Sequence, residues 1–296
     1  MKYHDQSKFK RFIKLVISIG FYLCASAREV IRWLAGKKSP AMCVVLHYHG
    51  VAPEHRILFA RQMDALIQRT IPIAADNQQP LRPGEHYAAV TFDDGFLTVA
   101  ENAVPELVRT RVPATIFVVA DLPGATPTWD MFGRDYIAQE RLIPMEQLKF
   151  LPSDLITIGS HTLSHPWLPA IPVAQAKIEL SESRDKLGNL LNRKIKLFSF
   201  PYGALSEQLI ELCRDAGYER VFTILPTLAF TNPQEFVTGR VVVEPTDWRL
   251  EFRLKLLGAY RWLPWAFALK RRFLLWLSIE EKLSTEQKTK NWSPIR

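Results

Sequence analysis

The sequence predicts an α/β fold in which a mostly parallel sheet, closed or nearly closed, is wrapped by helices. Three observations carry this expectation. Short apolar runs alternate with amphipathic segments of helical period from Met42 to Leu225. Chargeable side chains stand just past the ends of two of these runs, Asp93 and Asp94 after one, His161 and His165 after the other. Parallel α/β sheets place their chemistry there. The 296 residues also suffice for a barrel domain of about 200 to 250 residues with a full core.

Taken in order, Met42 to Tyr48 reads as a strongly apolar strand, entered after Pro40. Phe59 to Thr70 has the helical period, with Phe59, Met63, Leu66 and Ile67 on one face. The run Ala88-Ala89-Val90 leads into Thr91-Phe92-Asp93-Asp94-Gly95, a buried strand ending in two carboxylates and a glycine that lets the chain turn. Glu101 to Arg109 follows as a helix and Ala114 to Val119 as a buried strand. Residues 121–145 form a long loop containing Trp129-Asp130-Met131-Phe132, and loops of that length are often functional. Leu155 to Ile158 is the next apolar run, and Gln175 to Leu191 an amphipathic helix. Leu197-Phe198-Ser199-Phe200 leads into the turn Pro201-Tyr202-Gly203. A helix from Ser206 to Ala216, closed by Gly217, and a late strand from Arg220 to Leu225 complete the domain.

Charge divides the chain differently from hydrophobicity. Residues 1–38 carry nine Lys/Arg against two Asp/Glu, and residues 251–296 carry ten against four. The middle is net acidic, which argues against a nucleic-acid-binding face on the core. Three units follow: a basic amphipathic amino-terminal helix over 1–39, a catalytic domain over 40–250, and a basic, aromatic helical segment over 251–296. The uncharged stretch Leu15 to Ala27 is too short for a transmembrane helix, which needs about 20 residues. The expectation is a helix on a membrane surface, peripheral to an inner membrane, with Lys and Arg reaching anionic headgroups. A helix packed on the domain is the plain alternative. A secretory signal cleaved near Ala25-Ser26-Ala27 is another. From Phe252 to Leu277 aromatics interleave with Arg and Lys, as in interfacial segments or in a helix pair clasping the amino-terminal helix. Cys24, Cys43 and Cys213 read as buried thiols.

Two carboxylates at a strand end are costly unless a cation compensates them, although a plain strand and Asp-Gly turn is the bland reading. His161 and His165, four apart, would share one face of a helical turn and reach one ion. Such a pair alone is a weak signal. With a carboxylate it makes a three-ligand set that leaves a position for water, as in catalytic zinc sites, and the second carboxylate is free to be a base. His47 and His49 alternate on the first strand and face one side; one is a core histidine or lies near the metal site.

Thr-Phe-Asp-Asp-Gly at 91–95, Ser-His-Thr-x-x-His at 160–165, Phe-Pro-Tyr-Gly at 200–203 and Leu-His-Tyr-His-Gly-Val at 46–51 occur in that family-like set. Together they resemble the polysaccharide deacetylases of carbohydrate esterase family four, the chitooligosaccharide deacetylase homology domain, over roughly residues 41 to 250. The resemblance implies an irregular (β/α) barrel and a hydrolase that removes an N-acetyl or other N-acyl group from an amino sugar. It implies Asp94, His161 and His165 as ligands of a divalent ion, zinc by expectation, and Asp93 as general base. The Tyr202 backbone amide would stabilise the oxyanion, Pro201 and Tyr202 would border the substrate, and Trp129 would stack on a sugar ring or serve as a hydrophobic anchor. The expected partner is an N-acetylated glycan or a lipid-linked sugar.

The chain departs from the family at two points. Many members carry an arginine two residues before the proline of the third motif, bracing the catalytic aspartate, but Ser199 stands there, and Arg240 is the expected substitute. Many members also carry a late histidine as general acid, yet no histidine follows His165. The acid would then be His47 or His49, with His49 the catalytic candidate, or a water, or it is absent. A glycan- or lipid-carrier-binding module that kept the metal site, and a deformylase acting on a polyprenyl-phosphate sugar, stand as alternatives.

Overall fold

The computed structural model describes residues 2–129, 140–232, 234–270 and 272. A 33-residue helix, α1 (Lys2–Leu34), precedes strand β1 (Met42–Tyr48) and helix α2 (Arg56–Ile67). The short β2 (Ile71–Pro72) and long β3 (His86–Phe92) follow, then a π-turn (Val99–Ala103) running into α3 (Val104–Thr110). Next come β4 (Ala114–Val118), α4 (Met145–Phe150), β5 (Ile156–Ser160) and α5 (Val173–Leu191). The chain continues through β6 (Leu197–Ser199), α6 (Glu207–Asp215), β7 (Arg220–Phe222), β8 (Val237–Thr238), β9 (Val241–Val242) and α7 (Arg249–Leu256).

All paired strands are parallel, in the order β8-β7-β6-β5-β4-β3-β1-β9 with β2 beside β3. The sheet's two edges, β8 and β9, are consecutive in sequence and separated only by Gly239 and Arg240. Consecutive Cα atoms are about 3.8 Å apart, so the two edges lie within about 11 Å of each other. The sheet therefore curls on itself, and β8 and β9 act as one bent strand across the seam, the first half pairing with β7 and the second with β1. Gly239 is required at the bend, because a Cβ there would run into the Leu225 carbonyl.

The strands are near-continuous apolar runs because helices cover them outside and side chains fill them inside. Phe59 and Met63 from α2, Leu107 from α3, and Leu180 and Leu187 from α5 join the strand residues in one core. Ile67, expected on the buried face of α2, is exposed. Cys43 and Cys213 are buried, but Cys24 is exposed on α1, contrary to expectation. Its helix packs on the domain along a narrow stripe only, which leaves that position in solvent.

The carboxyl-terminal segment divides into two helical parts that differ in burial. Helix α7 is a core element: Phe252, Leu254 and Leu256 are buried, so the boundary expected at 250/251 falls inside it. Turns over 257–262 follow, Tyr260 is buried, and a second helical stretch begins at 263 with Trp265 and Phe267 exposed. Phe273 and Trp276, and the loop residues Asp130, Met131 and Phe132, lie outside the described residues.

Candidate active site

The carboxyl ends of β1, β3, β5 and β6, together with the seam residue Arg240, supply the site. Asp93 and Asp94 leave the end of β3 side by side, both buried. The Asp93 amide donates to the Tyr48 carbonyl at the end of β1, 3.0 Å, which extends the ladder by one bond. Asp94 then turns out of the strand with φ 68°, and Gly95 follows at φ 75°. The two carboxylates therefore face different neighbours.

Asp94 faces the histidines. Its Oδ1 lies 3.4 Å from His161 Nε2 and 3.2 Å from His165 Nε2. One ligand atom from each of the three residues falls within 4.8 Å of the others, and all three residues are buried. His161 Nδ1 lies 2.7 Å from the Ser199 carbonyl, which can only accept, so Nδ1 carries the hydrogen. In the neutral imidazole Nε2 then offers a lone pair to a carboxylate oxygen that also offers one, an arrangement a cation between them resolves. Among the described residues, buried His165 Nδ1 has no hydrogen-bond partner. The donor set thus fits a divalent cation.

The geometry that joins the histidines is not the helical turn expected from their spacing. Residues 161–165 form a loop in which Thr162 (φ 70°) and His165 (φ 62°) are left-handed. A straight helical turn would spread the two imidazoles along its axis; the two reversals fold them toward Asp94. Tyr202 is left-handed as well, at φ 59°. Four of the seven left-handed non-glycine residues among the described residues are thus Asp94, Thr162, His165 and Tyr202. Each such conformation costs on the order of 1 kcal/mol or more and persists only where the surroundings enforce it, which is the habit of functional sites.

Glu179, buried on the inner face of α5, does the enforcing. It accepts from the Leu163 amide (2.9 Å), the Ser164 amide (3.0 Å) and the Ser164 hydroxyl (2.7 Å). Thr162 Oγ1 accepts from the His165 amide, 3.0 Å. Sequence reasoning missed Glu179. The available signal was an acidic residue sharing a helix face with Ala176, Leu180 and Leu187, where an apolar residue would be expected.

Asp93 faces the opposite way, into the seam. Arg240 meets it bidentately, Nη1 to Oδ1 at 2.7 Å and Nη2 to Oδ2 at 2.8 Å. The guanidinium is fully buried and uses its remaining donors on the Thr223 carbonyl (3.0 Å), Thr91 Oγ1 (3.2 Å) and Ser199 Oγ (2.7 Å). Ser199 Oγ in turn donates to Asp93 Oδ2, 3.0 Å. His47 Nε2 lies 2.9 Å from the same oxygen. Burial alone would raise the Asp93 carboxyl, but Arg240 and His47 outweigh it and hold the group well below the usual carboxylate range. Burial likewise opposes ionisation of Asp94, and the adjacent His161 and His165 prevail and keep it depressed. Burial lowers His165, whereas in His161 the neighbouring Asp93 and Asp94 overcome burial and raise it.

His49 is half-buried, its ring 4.5 Å from that of His47, so the two do share one side of β1. Pro201 is buried at the head of the 3-10 turn Pro201–Gly203. The half-buried Tyr202 sets its ring edge-on to His165 at 4.7 Å, and Trp129 stacks on the other part of the same imidazole at 4.3 Å and 22°. Trp129 also packs against the core. The metal-ligand group is therefore bordered by two aromatic rings.

The family model for "Polysaccharide deacetylase" matches residues 81–221, a span that holds both aspartates, both histidines and the Pro-Tyr-Gly turn. That match, with the relatives and solved structures that follow, supports the polysaccharide deacetylase family for this chain. Over 224 residues the chain is 25% identical to the putative polysaccharide deacetylase YxkH of Bacillus subtilis, covering 72% of the chain and 75% of the relative. It is 23% identical over 157 residues to poly-beta-1,6-N-acetyl-D-glucosamine N-deacetylase of Staphylococcus aureus strain MRSA252, covering 52% of the chain and about half, 53%, of that relative's length. Among solved structures, IcaB from Ammonifex degensii superposes with a TM-score of 0.63 at 26% identity, over 75% of this chain and 98% of that one. BA0330 from Bacillus anthracis superposes with a TM-score of 0.59 at 22% identity, over 73% and 69% of the respective chains, and supports the fold alone. His47 and Arg240, which hold Asp93, lie outside the span of the family model.

Proposed function

We propose that this protein is a metal-dependent amino-sugar N-deacetylase that hydrolyses the N-acetyl group of a polysaccharide or lipid-linked glycan. The observation that carries the reading is the division of labour between adjacent carboxylates: Asp94 joins two buried imidazoles, while Asp93 is held apart by a buried guanidinium. Asp94, His161 and His165 would hold the ion, which when bound polarises an acyl carbonyl and acidifies a water. Two imidazoles and one carboxylate suit zinc.

Asp93 accepts the proton of the attacking water. Its bidentate contact with Arg240 leaves it ionised and fixes its orientation. The Tyr202 amide, presented by the strained turn, donates to the oxygen where charge develops. His49 delivers a proton to the departing amine, and His47, bound to Asp93, steadies the base. Trp129 and Tyr202 flank the sugar, with Pro201 setting the turn. The products are a free amine on the sugar and acetate.

Metal content and amine release, measured on an N-acetylglucosamine oligomer and on a lipid-linked N-acetyl sugar, test this. Wild type carries about one ion and frees amine. Asp93→Asn keeps the ion and loses activity by about 10²-fold or more, and His161→Ala loses both. Bound metal without amine release from either substrate would sink the deacetylase reading in favour of a binding module or of another acyl group.

A further inference from the structure

Helix α1 buries one narrow stripe and exposes the opposite one. Leu15 and Ser18 are buried against the carboxyl-terminal segment, where Trp262 Nε1 donates to Ser18 Oγ at 2.9 Å. One turn earlier Arg11 reaches Glu251 (2.6 Å) and Asp247 (3.3 Å) and lies over the Trp248 ring at 4.5 Å. At 100° per residue a broad stripe on the far side of the helix collects Phe9, Ile13, Val16, Leu23, Ile31 and Leu34, and all six are exposed. Exposure reaches 66% at Phe9 and 71% at Leu34. At 1.5 Å per residue the helix is about 50 Å long, so this apolar face exceeds the few hundred Å² that soluble monomers ordinarily show.

The charges say what covers it. Lys10 and Arg28 flank this face on one side, and Lys14 and Arg32 lie about 40° further round toward the docked side, because positions 18 apart are five full turns apart. Two copies laid face to face would bring these cations toward each other. An anionic lipid surface would neutralise them and bury the apolar face at the same time. Exposed Trp33 and Trp265 suit the headgroup level of a bilayer. Among the described residues no helix is long and apolar enough to cross a membrane.

We propose that α1 lies flat on an anionic membrane leaflet through its outward stripe, with Lys10 and Arg28 on headgroups and Lys14 and Arg32 adding positive charge at its margin. The Arg11 contacts to Asp247, in the turn after β9, and to Glu251 of α7 tie that helix to the barrel. The deacetylase is thereby held at the lipid surface, and it works on glycan there. The docking itself rests on the helix alone and is read without any activity assay.

The full chain is sedimented with vesicles of phosphatidylcholine alone and with phosphatidylcholine containing about one quarter phosphatidylglycerol, while light scattering follows its mass with concentration. Wild type pellets with the anionic vesicles, far less with the neutral ones, and is released by high salt. Ile13→Glu/Ile31→Glu stays in the supernatant. Lys10→Gln/Lys14→Gln/Arg28→Gln/Arg32→Gln binds more weakly by about five-fold per charge, a hundred-fold or more in all. Unchanged circular dichroism and melting temperature show that the variants are folded. Wild type left in the supernatant with anionic vesicles at low salt overturns the proposal. A wild-type dimer that Ile13→Glu/Ile31→Glu splits, without vesicle binding, overturns it in favour of a second copy.

Discussion

Removal of Arg240 strips the buried Asp93 carboxylate of its cation while leaving it out of water. Five contacts go at once: two to Asp93 and one each to Thr91, Ser199 and the Thr223 carbonyl. Truncating one partner of a buried ion pair costs about 3–5 kcal/mol, mostly the charge left behind. Arg240→Met keeps the volume and loses the charge, so it should fall in that range in urea unfolding at neutral pH. Asp93→Asn alone strands the guanidinium and is also destabilising. The double variant removes both charges, and its loss should be smaller than the sum of the single losses by roughly 2 kcal/mol or more, the scale seen for residues in one network. Without Arg240 the Asp93 carboxyl keeps burial, which raises it, against His47 and His161, so the acid limb of the activity profile moves to higher pH. Arg240→Lys keeps one charge and loses the fork, and should sit between wild type and Arg240→Met. Additive single losses, or an acid limb that does not move, would refute the idea that Arg240 holds the base.

Two further outcomes follow from other contacts. Glu179→Ala orphans the Leu163 and Ser164 amides, at about 1–3 kcal/mol each, and should weaken metal binding by about 10- to 100-fold; Glu179→Gln, which keeps an acceptor, recovers most of both in unfolding and metal-competition assays. Asp247 is raised to about 6, chiefly by burial, with Lys255 opposing and Glu251 reinforcing the shift. An acid raised in the folded state contributes stability that is fully present below its ordinary value and lost as pH climbs through the raised one. The stability difference between Asp247→Asn and wild type should therefore shift in the variant's favour by on the order of 2 kcal/mol from pH 4 to pH 7, and a flat difference in denaturation midpoints would count against it.

The sequence made the barrel legible because parallel strands buried on both faces read as apolar runs, and β1, β3, β4 and β5 lie where the runs from Met42, Ala88, Ala114 and Leu155 place them. The bent closing strand was not legible. Its two halves, Val237–Thr238 and Val241–Val242, are each too short to carry a period, and only the pairing partners reveal them. Asp94, His161 and His165 could be grouped by type, but the conformation joining the histidines could not. Spacing of four suggests a helical turn wherever nothing opposes it, and the opposing force is Glu179, a residue from a different element. The amphipathic period of α1 was visible too, yet it could not tell which stripe faces the domain. Arg11 and Ser18, polar residues on the docked side, decide that.

The seam explains why the cation beside Asp93 can come from so late in the chain. Asp93, the base proposed above, is a buried carboxylate at the end of β3 and is compensated by a buried positive charge on its inward side, which any strand end bordering that point can supply. Ser199, at the end of β6, is small, and its hydroxyl is shared between Asp93 and Arg240. A long side chain at 199 would compete with Arg240 for the same space. The bend at Gly239 brings Arg240 into the barrel from the closing strand, where the guanidinium also caps the Thr223 carbonyl next to β7. One residue thus neutralises the base and ties β3, β6 and β7 together across the join between β8 and β9. Closure of the barrel and orientation of the base are one requirement, so damage to the seam is felt at Asp93 even when the metal ligands are untouched.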